Sequence, residues 1–188
     1  MGMISKARAF ATRAHGEIGQ KRKYSGEPYI VHPAAVAAKV AGVSDDERLI
    51  AAAWLHDTVE DTPATLEDIR REFGDDVHDL VENLTDVSTP KDGNRRFRKE
   101  MDREHSAKGS PGAKTVKLAD LIHNAESILV SGDGFAYVFI PEMKRLLAVL
   151  KEGNEALHLE ATEIVHAFET RRARQKKKEQ QGKKNNDG

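Results

Sequence analysis

The stretch Leu49-Ile50-Ala51-Ala52-Ala53-Trp54-Leu55-His56-Asp57 decides how this chain is read. Ser44 or Asp45 can cap a helix before it, and Leu49, Ile50, Ala53 and Trp54 give that helix an apolar side. His56-Asp57 then sets two metal-capable side chains at the end of a buried helix, where charge is rarely kept unless it is paired or ligating. Glu60-Asp61 follow three residues later, and carboxylates crowded in this way favour a cation among them. A solvated charge cluster closing a helix is the competing reading, and on this segment alone the two weigh equally.

Working outward, apolar residues recur at helical spacing almost everywhere. Ile4, Ala7, Phe10, Ala11 and Ala14 imply a first helix over residues 4–17, and Gly16, Gly19, Ser25, Gly26 and Pro28 mark a loop with a tight turn. Pro33 can open the next helix, which Gly42 closes. Thr65 caps a helix ended by Gly74, and Val77, Leu80, Val81 and Leu84 form the stripe of another. Residues 88–93 read as a loop, 94–107 as a charged helix and Gly109–Gly112 as a second loop. Val116, Leu118, Ala119, Leu121, Ile122 and Ala125 make the following helix apolar nearly all round, as a central element should be. Pro141 opens a further helix, and a last one runs from about residue 153 into the basic tail. Tyr137-Val138-Phe139-Ile140 is the single plausible strand, and there is no internal repeat. The fold class expected is all-α, a helical bundle with one domain over residues 1–170 and a basic, disordered tail over 171–188.

Composition narrows the function. With 188 residues, 38% hydrophobic and 32% charged, the chain suits one globular domain and has no run apolar enough to span a membrane. The N-terminus lacks the build of a secretory signal, and a cytoplasmic location is the expectation. There is no cysteine, so disulfides, thiolate nucleophiles and cysteine zinc sites are excluded and any metal is held by nitrogen and oxygen. The net charge of −1 divides into +6 over residues 171–188 and −7 before them. An acidic body argues against nucleic-acid binding by the fold itself, and the tail reads as a solubilising terminus more readily than as a docking segment.

Asp120 tips the balance left open at His56-Asp57. It sits in Val116-Lys117-Leu118-Ala119-Asp120-Leu121-Ile122-His123-Asn124, apolar on most faces, where an ionised carboxylate needs a partner. Lys117, three residues earlier, is the simple partner, and a metal ion is the other. Asn124 shares the helix face of Asp120 at a spacing of four. His32 precedes Pro33, which biases it away from helical geometry and towards a fixed junction. Taken with His56, Asp57 and Asp120, it completes a set of two imidazoles and two carboxylates, which leaves positions open on a roughly octahedral ion. The remaining histidines show no metal spacing and read as structural or surface residues, His123 the least plainly because it flanks Asn124.

The order His, then His-Asp, then Asp resembles the HD superfamily of metal-dependent phosphohydrolases. Three blocks bring the resemblance closer to the Rel/Spo-type alarmone hydrolase domain and the small alarmone hydrolases: Gly19-Gln20-Lys21-Arg22-Lys23-Tyr24-Ser25-Gly26-Glu27-Pro28-Tyr29-Ile30-Val31-His32-Pro33, Leu55-His56-Asp57-Thr58-Val59-Glu60-Asp61-Thr62 and Val116-Lys117-Leu118-Ala119-Asp120. The resemblance spans roughly residues 3–150 and implies an HD-type helical bundle. It also implies a manganese ion on His32, His56, Asp57 and Asp120, and hydrolysis of the 3′-pyrophosphate of guanosine tetra- and pentaphosphate. Glu60 and Asp61 become candidates to orient the attacking water and move protons. Arg22, Lys23, Asn124 and Ser127 become candidate nucleotide contacts. The chain departs from the resemblance at Leu121, where a basic residue is usual, and at Glu126, where the long Rel/Spo proteins commonly have Arg. Two other readings stand beside this one. The first is a phosphatase or phosphodiesterase for another nucleotide, such as an adenosine alarmone, NADPH or a nucleoside monophosphate. The second is a nucleotide-sensing module without turnover.

Overall fold

The computed structural model describes residues 2–186 and is built of helices: α1 (Met3–Glu17), α2 (Val31–Ala41), α3 (Glu47–Leu55), the single turn α4 (Thr58–Asp61), α5 (Leu66–Phe73), α6 (Asp75–Leu84), α7 (Arg95–Ala107), α8 (Pro111–Ser131), α9 (Ala136–Leu147) and α10 (Glu155–Asn186). Among the described residues the one β pairing is a bridge between Lys21 and Pro28, which closes the loop between α1 and α2. Gly26 turns that loop at φ +71°, a conformation that costs glycine little. No described helix is long and apolar enough to cross a membrane.

The centre of the bundle is α8, packed against α2, α3, α6, α9 and α10. Its Val116, Leu118, Ala119, Ile122 and Ala125 are buried, as the all-round apolar pattern requires. On α3, Ala51, Ala52 and Ala53 are fully buried, and such small side chains let neighbouring helices come close. Ala7 and Ala11 of α1 and Val36, Ala37 and Val40 of α2 fill the facing surfaces. The caps are local and chemical. Asp46 accepts from the Arg48 N–H to start α3, so the cap is one residue past Asp45. Thr65 and Asp68 form a reciprocal capping box on α5, and Gly74 ends it at φ +85°. Ser110 caps α8, and Pro111 is already its first helical residue, so the expected Gly109–Gly112 loop is shorter than its composition suggests.

Three expectations are corrected. Tyr137–Ile140 is helical: the β-prone residues lie in α9 because Ala136, Ile140, Met143 and Leu147 form one buried face, and that burial overrides local propensity. Pro141 therefore sits inside α9 and does not open it; the first turn is tightened by bonds from Tyr137 N to Gly134 O and Val138 N to Phe135 O. His32 is also helical, the second residue of α2, with Pro33 tolerated in the first turn. The basic segment continues α10, where every residue from Ala173 to Gln181 is exposed and only intrinsic propensity supports the helix.

Candidate active site

Four helices bring the sequence candidates together. His56 closes α3 and Asp57 precedes α4, so both leave the bundle where the chain bends. His32 comes from the first turn of α2 and Asp120 from the middle of α8. His32 and His56 are fully buried or nearly so, and Asp120 is 6% exposed. His32 Nε2 lies 3.2 Å from His56 Nε2, 3.3 Å from Asp57 Oδ2 and 3.2 Å from Asp120 Oδ1. His56 Nε2 lies 3.1 Å from Asp57 Oδ2 and 3.7 Å from Asp120 Oδ1. Ligand atoms of His32, His56 and Asp57 all fall within 4.8 Å of one another.

The surroundings fix the orientation of these groups. His56 Nδ1 donates to Ala53 O at 2.8 Å, which turns Nε2 to face the cluster. Tyr29 Oη donates to Asp57 Oδ2 at 2.6 Å, and Asn124 Nδ2 donates to Asp120 Oδ1 at 2.6 Å. Burial would raise the Asp57 carboxyl, but the His56 and His32 imidazoles outweigh it and hold the group well below the usual carboxylate range. Asp120 is lowered in the same way against its burial, by hydrogen bonds with His32 and His56 and by the nearby Lys117 ammonium. The two carboxylates in turn raise His56 despite its burial. The site is therefore built to hold positive charge, and a donor set of two imidazole nitrogens and two carboxylate oxygens fits a divalent transition-metal ion. Lys117 Nζ is 3.6 Å from Asp120 Oδ2, whereas Oδ1 faces the histidines. The simple ion pair and the ligand role thus occupy different oxygens of one carboxylate.

Beside this cluster opens a cavity of about 990 Å³. Glu60 lines it; Asp61 does not, and its carboxylate accepts from Gln20 Nε2 at 2.9 Å. The outer edge of Glu60 is exposed, but the carboxyl group is crowded: burial first, then Asp86 and Asp57, push it up to about 7 against the pull of Lys117. Arg22 Nη2 donates to Asn124 Oδ1 at 3.0 Å and lies 3.4 Å from Ser127 Oγ, so three of the four nucleotide-contact candidates are joined. Lys23 is apart from them, largely exposed and 3.7 Å from Asp133. Glu126 is exposed on the far side of α8, away from the cavity, so it sets no negative charge there; Leu121 gives the cavity an apolar surface.

In the sequence the basic residues of α7 allow two readings, a wall that supplies phosphate contacts or a solvated face; Arg95, Arg96, Lys99 and Arg103 line the cavity, with Arg95 paired to Glu142, Lys99 to Asp86 and Arg103 to Glu100. Arg95, Lys99 and Arg103 recur at a spacing of four, and Arg96 lies three and seven positions before the last two, which sets all four on one stripe. Other residues have no such signal in the sequence. His15 is buried, and its Nδ1 is 2.6 Å from Gln20 Oε1, so the Gln20 amide is turned with its NH₂ towards Asp61. His123, half-buried, lies with Nδ1 2.7 Å from His32 Nδ1. Burial, with His32 and Arg22 beside it, pushes the His123 imidazole down to about 4.

The chain is similar to known proteins in sequence and in fold. The family model for the HD domain matches residues 7–132. The human guanosine-3′,5′-bis(diphosphate) 3′-pyrophosphohydrolase MESH1 is 43% identical over 130 residues, which cover 66% of this chain and 69% of that protein. A protein of the same activity name from Aquifex aeolicus is 39% identical over 132 residues, which cover 68% of this chain but 18% of the longer protein. Among solved structures, a metazoan ortholog of SpoT that hydrolyses ppGpp superposes with a TM-score of 0.79 at 31% identity, covering 89% of this chain and 96% of that one.

Proposed function

This chain belongs to the HD domain family, and from that premise we propose that it is a metal-dependent hydrolase that removes the 3′-pyrophosphate of guanosine tetra- and pentaphosphate. The observation that carries the proposal is the convergence of His32, His56, Asp57 and Asp120 at the edge of a cavity walled by the basic residues of α7. These four side chains would hold a divalent ion, manganese in our reading. Bound there, such an ion would act as a Lewis acid towards water and phosphoryl oxygens.

The chain's own residues account for the rest. Glu60 faces the cavity with a carboxyl near about 7, a value suited to accepting a proton from the attacking water at neutral pH. Water adds to the phosphorus next to the ribose, the bond from that phosphorus to the 3′ oxygen breaks, and pyrophosphate departs from GDP or GTP. Asp61, fixed by Gln20, is the second candidate group for moving protons. Arg22, Asn124 and Ser127 form one hydrogen-bonded surface for the nucleoside, and Asn124 ties it to Asp120. Lys23, exposed beside Asp133, is the outer candidate for a phosphate, and Arg96, which lines the cavity from α7, can neutralise another. We take residues 1–170 as the working domain, acting in the cytoplasm, with the basic segment outside it.

Phosphorus NMR of the products tests the reading. Pyrophosphate and GDP from guanosine tetraphosphate would support it. Orthophosphate in place of pyrophosphate, or turnover confined to an adenosine alarmone, NADPH or a nucleoside monophosphate, would replace it.

A further inference from the structure

His123 lies three positions after Asp120 on α8 and aims its ring at the buried histidine of α2. Its Nδ1 is 2.7 Å from His32 Nδ1, with ring centroids 4.9 Å apart and planes tilted by 35°. Two nitrogens at that distance share one hydrogen: two N–H groups would repel, and so would two bare lone pairs. The opposite nitrogen of His32, Nε2, faces His56, Asp57 and Asp120. An imidazole that ligates through Nε2 carries its hydrogen on Nδ1 and needs an acceptor there. No carboxylate or backbone oxygen bonds to His32 Nδ1 among the described residues, and His123 Nδ1 is the acceptor within reach. His56 solves the same problem differently, by donating its Nδ1 hydrogen to Ala53 O.

We propose that His123 is a positioning residue which, by accepting the Nδ1 hydrogen of His32, selects the tautomer whose Nε2 is free to hold the divalent ion. The proposal rests on the metal reading of the site and goes beyond it, because it assigns a role to a side chain that touches neither the ion nor the substrate.

The test compares His123→Leu, which removes the acceptor, with His123→Gln, whose amide oxygen restores one. The readout is manganese affinity of protein stripped with EDTA, followed by the electron paramagnetic resonance signal of the free ion, with no substrate present. Thermal melting of the stripped proteins reports on folding. We expect the Leu variant to bind manganese about 10-fold or more weakly, as loss of a residue orienting a metal ligand does elsewhere, with the Gln variant close to wild type. Nitrogen NMR of His32 should show its hydrogen on Nδ1 in the loaded wild type. Wild-type affinity in the Leu variant, or equal losses in both variants, would overturn the proposal. Wild-type protein that binds no manganese would overturn the metal reading and this inference with it.

Discussion

Replacing Tyr29 by Phe removes one hydroxyl and leaves the ring, so its effect isolates a single bond. That hydroxyl donates at 2.6 Å to Asp57 Oδ2, the same oxygen that lies 3.1 Å from His56 Nε2 and 3.3 Å from His32 Nε2. Burial first, and then the Asp57 charge, hold the phenol well above its ordinary range, so it remains a donor at every working pH. The ring keeps its packing against His15 at 4.8 Å and His32 at 5.7 Å. A hydrogen bond to a charged group contributes about 1.5–3 kcal/mol. Both partners line or border the cavity, so water can replace part of the bond, and the lower end applies. About 1.4 kcal/mol corresponds to tenfold in a dissociation constant. Tyr29→Phe should therefore weaken manganese binding about tenfold, as loss of an orienting partner does at other metal sites. The assay is a manganese titration of EDTA-stripped protein, followed by kcat at saturating manganese. We expect kcat to return to within a few-fold of wild type once the ion is restored. An unchanged affinity would refute the claim that Tyr29 orients Asp57 as a ligand.

Other consequences follow from the same geometry. Glu60→Gln should lower kcat by about 100-fold or more at saturating manganese, the scale of a lost general base. Because Glu60 is pushed from its ordinary 4.5 up to about 7, its contribution to the stability of metal-free protein is fully present below pH 4.5 and is lost as pH rises through 7; urea melts of Glu60→Gln should lack that decline. Gln20→Ala frees Asp61, which lies 2.9 Å from the Gln20 amide, and should reduce kcat by about tenfold while leaving manganese affinity unchanged. Gly153→Ala would place a Cβ 2.8 Å from Leu118 Cδ1 and 3.0–3.1 Å from the α8 backbone at Lys114 and Thr115, so urea denaturation should show a loss of about 1–3 kcal/mol.

The helical bundle and the four candidate ligands were legible because their signals are local. His56 and Asp57 adjoin an apolar run, and Asp120 interrupts an otherwise apolar helix. Asn124 could be placed on the Asp120 face from spacing alone, whereas Ser127 was a candidate through the family resemblance. What the sequence concealed depends on distant partners. His15 and Gln20 matter through Asp61, 41 residues beyond Gln20, and His123 through His32, 91 residues away. The wall formed by α7 was one of two readings, and the sequence could not choose it because a row of arginines and lysines on a helix is, residue by residue, more often a solvated face. Local chemistry misled in two places. Four β-prone residues at 137–140 suggested a strand until burial of Ile140 and Met143 against α8 decided the matter. Pro33 argued that His32 is non-helical, whereas a first-turn proline is compatible with α2 starting at Val31.

The central claim is that one divalent ion on His32, His56, Asp57 and Asp120 is required to hydrolyse a nucleotide 3′-pyrophosphate. The most direct measurement is turnover of guanosine tetraphosphate by purified protein with added manganese, beside a His56→Ala, Asp57→Ala double variant and an EDTA-treated sample. Wild-type protein should release GDP and pyrophosphate in a reaction that depends on manganese and is absent from both controls. Undiminished turnover in the double variant would contradict the metal site, and no turnover by wild-type protein that binds manganese would contradict the substrate.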